Sequence, residues 1–229
     1  MLNRYWKSFK SGTDIRGVAT EGVAGEEVTL TDPVIEKMTA GFVLWLTKNL
    51  GREATTLTIS VGHDSRISAD RIQAAVCRVL IDAGCHVLDC GLASTPSMFM
   101  TTVDIACDGA VQITASHHPF NRNGLKFFTR KGGLDGCDIE EILQYAQEGQ
   151  APQSRSGGRV EAVDYMEDYA AGLREMICRE VKADDYEHPL KGFRIVVDAG
   201  NGAGGFYASE VLAPLGADTE GSQFLQPDG

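Results

Sequence analysis

The chain has 229 residues, 43% hydrophobic and 23% charged, which is enough apolar material for one large or two modest globular domains. Its formal net charge of −11, with no Lys/Arg run, excludes nucleic acid as a partner held by clustered cations on phosphates. The amino terminus MLNRYWKSFK has no apolar core and the longest aliphatic-aromatic cluster is Phe42 to Leu46, so no membrane partner and a cytoplasmic location are expected.

In chain order, Asp32 and Pro33 read as an N-cap and first turn, with Val34, Met38, Phe42, Trp45 and Leu46 following at helical spacing. Leu57 to Val61 reads as a strand. Ser68 to Ala83 reads as a helix with Ile72, Ala75, Val76, Val79 and Leu80 inward and Gly84 near its end. Then come a strand Cys85 to Leu88, a short helix Thr95 to Val103 behind Pro96, and a strand Gly109 to Ile113. This alternation predicts an α/β fold with a mainly parallel sheet covered by helices, in which ligands gather beyond the carboxyl ends of the strands. The stretch QEGQAPQSRSGGRV, 147 to 160, is rich in Gly, Ser, Gln and Pro and reads as a linker. Beyond it, Val163, Met166, Tyr169, Ala170, Leu173 and Ile177 describe an amphipathic helix, and Phe193 to Val197 a strand. Two domains are expected, 1–150 and 151–229.

The six cysteines, Cys77, Cys85, Cys90, Cys107, Cys137 and Cys178, include no C-x-x-C pair and read as reduced, mostly buried thiols.

Residues 111 to 128, VQITASHHPFNRNGLKFF, set Ser116 between two apolar strands, with Pro119, Asn121, Asn123 and Gly124 as turn punctuation. His117 and His118 follow the serine and Lys126 returns on the next strand, so a hydroxyl, two imidazoles and a fixed cation share one short segment. TASHHP followed by NGLKFF resembles the phosphoserine loop of the α-D-phosphohexomutases, the family of phosphoglucomutases and phosphomannomutases, usually T-x-S-H-N-P with N-G-x-K after it. Further segments resemble that family in the same order: SGTDIRG with Arg16, VGHDSRIS with His63 where arginine is common, RIVVDAGNGAGG at 194 to 205, and QPDG at the end of the chain.

The resemblance implies a first phosphohexomutase domain over 1–150 and the beginning of a second, similar α/β domain. The family's D-G-D-x-D-R metal loop, G-E-x-S-G-H sugar segment and R-x-S-G-T phosphate loop are not in this sequence, which therefore looks like a fragment of a protein twice as long or more, inactive alone. For the parent, the implied reaction moves phosphate between O1 and O6 of a glucose or mannose phosphate. Phosphorylated Ser116 and a 1,6-bisphosphorylated sugar are the intermediates, and that bisphosphate is also the activator. Mg²⁺ would be bound through a phosphate oxygen on Ser116, its other ligands lying outside this chain. Lys126 is the implied general acid or base, Arg16 a stabiliser of the transferring group, and His117 a positioning donor. His118 stands where the family has asparagine and is expected, with Arg66 and Asn123, to bind phosphate or substrate. Arg122 is a further cation of this segment. For Asp64 and Arg66 a local salt bridge is weighed equally with phosphate binding.

Two other readings stay open. One is a non-catalytic phosphosugar-binding domain. The other is a dinucleotide site, because Gly200, Gly202 and Gly205 satisfy G-x-G-x-x-G after the expected strand, although Gly204 and Asn201 crowd that turn.

Overall fold

The computed structural model describes residues 1–228. One sheet of eight strands organises the chain. After a short helix α1 (Arg4–Lys7) come β1 (Lys10–Ser11) and β2 (Asp14–Val18), then helix α2 (Asp32–Leu50). Next in order are β3 (Thr58–His63), α3 (Ala69–Asp82), β4 (His86–Leu92), α4 (Thr95–Asp104), β5 (Gly109–Ile113) and β6 (Arg122–Thr129). The small strand β7 (Gly132–Gly133), helix α5 (Gly136–Glu148), strand β8 (Arg159–Ala162) and helix α6 (Tyr165–Val181) complete the series.

Strand order is β1-β2-β6-β5-β3-β4-β8, with β7 beside β6. The run β5-β3-β4-β8 is parallel, as expected for β-α-β units, whereas β6 pairs antiparallel with β5, β2 and β7. The antiparallel part follows from loop length: only eight residues separate β5 from β6, too few for the helical crossover a parallel return needs.

The helices obey local signals. Pro33 sits in the first turn of α2, which begins one residue earlier than the capping pattern suggests, with Thr31 as N-cap, and ends at Gly51 in the left-handed region. Ser94 caps α4 by accepting from the Ser97 amide at 3.3 Å. Helix α5, which is not among the elements expected from sequence, starts at a capping box in which the Asp135 amide donates to Asp138 Oδ2 at 2.9 Å.

One face of the sheet carries Ile15, Leu125, Phe127, Val111, Ile113, Ile59, Val61 and Val87 against α2, α3 and α5. Phe42 stacks on Phe127 with ring centroids 4.4 Å apart. Burying such aromatic side chains contributes roughly 2–3 kcal/mol each. Helices α2 and α5 approach closely at Gly41, where a Cβ would lie 2.4 Å from the Ile142 carbonyl. The opposite face is thinner: Cys90, Ala110 and Phe128 pack against Met98 of α4 and Tyr165 of α6. Helix α6 turns its other side to Val211 and Leu215, so residues beyond 182 are held chiefly through this helix.

Two sequence expectations change. The end of the expected linker is strand β8, because the backbone groups along the outer side of β4 take a partner there. Phe193 to Val197 is not a strand. Its bridges are the isolated pairs Arg194↔Asp218 and Asp198↔Gln223, and Phe193 and Val196 remain exposed, so among the described residues no ladder stabilises it. Among the described residues no helix is long and apolar enough to cross a membrane.

Candidate active site

The carboxyl end of β5 delivers Thr114, Ala115 and Ser116 to the surface, as parallel-sheet geometry requires. Ala115 is fully buried and Ser116 is exposed. Ser116 has φ +56°, a left-handed conformation that costs a non-glycine residue about 1 kcal/mol or more and is held only where its surroundings enforce it. The enforcement is visible. The Ser116 amide donates to Thr114 Oγ1 at 3.0 Å, and the Thr114 hydroxyl donates to Asp64 Oδ2 at 2.7 Å.

Arg66 completes the clamp. Its Nη1 donates to the Pro119 and Arg122 carbonyls at 2.7 and 2.9 Å, and its Nη2 to the Ser116 and His118 carbonyls, both at 2.7 Å. Asp64 Oδ2 lies 3.4 Å from Arg66 Nε. The rigid guanidinium fork thus closes the loop from both sides. The terminal N–H groups of Arg66 are spent on carbonyls, so of the two roles weighed for the Asp64–Arg66 pair the local scaffold is the one these hydrogen bonds build.

Asn123 is likewise engaged within the protein. It is fully buried, its Nδ2 donates to Ser68 Oγ at 3.0 Å and its Oδ1 accepts from the Gly124 amide at 2.8 Å, so it ties β6 to the start of α3 rather than meeting a ligand. Arg122 pairs with Glu26 at 2.8 Å, and the same carboxylate accepts from Asn121.

His117 stays exposed, with Nδ1 3.3 Å from Ser116 Oγ, and its ring stacks on that of His118 at 5.3 Å. Desolvation lowers the His118 pKa from its ordinary 6.5, and Arg16, His117, Arg122 and Arg66 push it in the same direction.

Lys126 and Arg16 converge through a residue that the motifs do not single out. Asp14 and Arg16 alternate onto one face of β2, and the antiparallel register of β2 with β6 sets Asp14 opposite Lys126. The carboxylate of Asp14, a residue 8% exposed, accepts from Lys126 Nζ at 2.6 Å through one oxygen and from Arg16 Nη2 at 3.0 Å through the other. Arg16 faces Gly124 in the register, and there only glycine fits: a Cβ would lie 2.1 Å from the Ile15 carbonyl and 3.0 Å from Arg16 Cγ. The Lys126 ammonium also sits 5.8 Å from the Phe128 ring centre.

Among the described residues no group of three or more His, Cys, Asp or Glu side chains is placed to hold a metal ion. Asp14 and Asp64 are already engaged by Lys126, Arg16, Thr114 and Arg66. The side chains of the described residues therefore do not by themselves form a Mg²⁺ site. The dinucleotide reading loses its frame, because Phe193 to Val197 makes isolated bridges rather than the strand the fingerprint needs and the glycine turn leads into a π-helical segment, Tyr207–Leu212, rather than an α-helix; a Cβ on Gly205 would fall 2.1 Å from the Leu225 carbonyl, so that glycine makes room for the returning chain. That return brings Pro227 of QPDG beside His63, Asp64 and Arg66 around a cavity of about 280 Å³, and Ser65 Oγ donates to the Asn201 carbonyl at 2.7 Å.

Comparison with known proteins gives this arrangement its relatives. Residues 9–152 match the family model described as phosphoglucomutase/phosphomannomutase, alpha/beta/alpha domain I. The phosphoglucosamine mutase of Corynebacterium jeikeium is 33% identical over 215 residues, covering 90% of this chain and 44% of the relative. A phosphomannomutase of Escherichia coli is 32% identical over 179 residues, covering 75% and 38%. Among solved structures, a phosphoglucomutase/phosphomannomutase family protein from Burkholderia thailandensis superposes with TM-score 0.72 at 24% identity, over 99% of this chain and 45% of that one. Parafusin (phosphoglucomutase) from Paramecium, in its open form, gives 0.71 at 18%, over 95% and 43%. The chain spans somewhat under half the length of the curated relatives it matches. With the family model covering more than half of its residues, the chain belongs to the phosphoglucomutase/phosphomannomutase family.

Proposed function

We propose that this chain is the phosphoryl-carrying part of a phosphohexomutase that moves phosphate between O1 and O6 of a hexose phosphate. The observation that carries the reading is Ser116: exposed, left-handed, and pinned by the Arg66 fork at the carboxyl end of the parallel sheet.

In the proposed cycle, the bond from phosphorus to Ser116 Oγ breaks as a bond to the free sugar hydroxyl forms, and the proton of that hydroxyl leaves to a base, for which Lys126 is the candidate. The resulting bisphosphorylated sugar turns over and returns its other phosphate to Ser116, with proton flow reversed. Phosphoserine carries about −1.5 to −2 charges at neutral pH, and the sugar phosphate a similar load, so fixed cations must offset their repulsion. Arg16 supplies one, and Lys126 a second while it carries the proton, the two sharing the Asp14 carboxylate. His117, at hydrogen-bond reach of Oγ, is positioned to donate to the phosphate, and His118 in its neutral form can still donate one hydrogen bond. The Mg²⁺ expected from the resemblance would polarise the transferring phosphoryl group when bound. This chain offers it the Ser116 phosphate oxygen.

The names of the relatives, phosphoglucosamine mutase and phosphomannomutase, add glucosamine phosphate to the glucose and mannose phosphates expected from sequence. Six unpaired cysteines suit a reducing compartment, which supports the cytoplasmic expectation.

The test is to incubate the phosphohexomutase of which this chain is the phosphoryl-carrying part with glucose, mannose or glucosamine 1,6-bisphosphate and locate phosphate by peptide mass spectrometry. Phosphorylation at Ser116, absent in Ser116→Ala, is the expected result. Sugar bisphosphate binding without any phosphoserine would replace this reading with the non-catalytic phosphosugar-binding one.

A further inference from the structure

We infer that Asp14 is a positioning residue that holds Lys126 and Arg16 as one unit beside the serine loop. The inference rests on the reading of Ser116 as the phosphoryl carrier, but its geometric part does not depend on it.

Three observations carry it. Asp14 is 8% exposed and spends its two carboxylate oxygens on two different cations, 2.6 Å from Lys126 Nζ and 3.0 Å from Arg16 Nη2. The cations belong to different strands, so the carboxylate joins β2 to β6 at the level where Gly124 lets Arg16 lie flat across the sheet. On the other side of Lys126, the residue opposite it on β5 is Gln112, fully buried, whose Nε2 donates to the Ala93 carbonyl at 3.0 Å and whose Oε1 has no partner. Lys126 is therefore flanked in one row by a carboxylate and an amide, and the carboxylate is the charged group that fixes its position.

A long lysine side chain otherwise samples many rotamers, and a misplaced proton carrier or phosphate cation forfeits much of its value. One carboxylate between two cations restrains both while leaving one net positive charge to face the phosphate. Asp14 touches neither serine nor sugar in this role. It acts through Lys126 and Arg16.

Two measurements decide the matter. The first, on the full chain, is competitive acetylation of lysines with acetic anhydride, read by mass spectrometry with exposed Lys37 and Lys131 as internal references. Asp14→Asn is expected to raise Lys126 labelling severalfold against those references, and Asp14→Glu, which keeps the charge, is expected to keep Lys126 protected. Equal labelling of Lys126 in the native protein and Asp14→Asn overturns the inference.

The second, on the phosphohexomutase of which this chain is part, is the rate of Ser116 phosphorylation by hexose 1,6-bisphosphate, with the thermal midpoint recorded for each variant. Asp14→Asn is expected to slow it by about tenfold to a hundredfold, and to add little in a Lys126→Ala background. Asp14→Glu, one methylene too long, is expected to slow it while Lys126 stays protected, and it decides the question should Asp14→Asn fail to fold. Full additivity with Lys126→Ala, or a native rate in Asp14→Glu, overturns the positioning role. Absence of serine phosphorylation in the native protein would instead strike the functional reading, and the labelling result would still judge the geometry.

Discussion

His118 shows at the scale of one residue how surroundings set chemistry. Desolvation, and then Arg16, His117, Arg122 and Arg66, lower its pKa below the ordinary 6.5, so the folded protein binds the His118 proton less readily than the unfolded chain does. Above pH 6.5 the ring is neutral in both states and contributes nothing. As pH falls below 6.5 the unfolded chain takes up its proton first and stability is lost, the loss levelling off below the folded value. His118→Asn removes this effect. Its thermal midpoint should keep a constant offset from the native one above pH 6.5 and move in the variant's favour as pH falls below it. An offset that stays flat from about pH 5 to 8 would deny the linkage. The serine, both histidines, Arg16 and Lys126 are all legible as candidates from the motif and its resemblance. Asp14 is not, although D-I-R within a strand alternates two charges onto one face. Its partner Lys126 lies 112 residues away, and only the β2–β6 register makes them neighbours.

At the scale of elements, the serine loop is closed by a residue from another loop. Arg66 makes four hydrogen bonds across 50 to 56 residues of sequence, a geometry that suits a planar guanidinium and not an ammonium with three donors. Arg66→Lys should cost about 2–3 kcal/mol in urea unfolding and make the 116–122 segment a preferred site of limited proteolysis. Stability within about 0.5 kcal/mol of native, with no new cleavage, would mean that the loop holds itself. The elements most legible in the sequence, β5, α3 and α4, have strong periodicity and end signals. Those that escape it have weak ones. The strands β1 and β2 are short and form a ribbon in which β2 pairs with β6 and β1 with β2, while α5 lies in a mixed polar stretch whose apolar stripe is recognisable once α2 is there to receive it.

At the scale of the whole molecule, burial decides which cysteines can react. Desolvation pushes the Cys77, Cys85 and Cys90 thiols up to about 12 and Cys107 to about 11, and Cys178 is buried, whereas Cys137 is exposed at the start of α5. A thiol reagent at neutral pH should therefore label Cys137 fast, the partly exposed Cys77 slowly, and the other four only as the protein opens. Two or more fast thiols would show a looser sheet than the one described. The same burial argument explains why Phe193 to Val197, apolar enough to read as a strand, is left without a ladder: a strand needs neighbours, and isolated bridges to 218–223 are what it has.

Sequence by itself determined the α/β alternation, the family resemblance and the location of an exposed serine loop, because periodicity, turn residues and short motifs are local and need no partner to be read. Tertiary structure decided that Arg66 and Asn123 support the loop from beneath, that a four-strand antiparallel flank extends the parallel sheet, and that Asp14 stands between Lys126 and Arg16. Each of those depends on which donors are already spent and on the register between distant strands, and both are properties of the folded chain rather than of any segment of it.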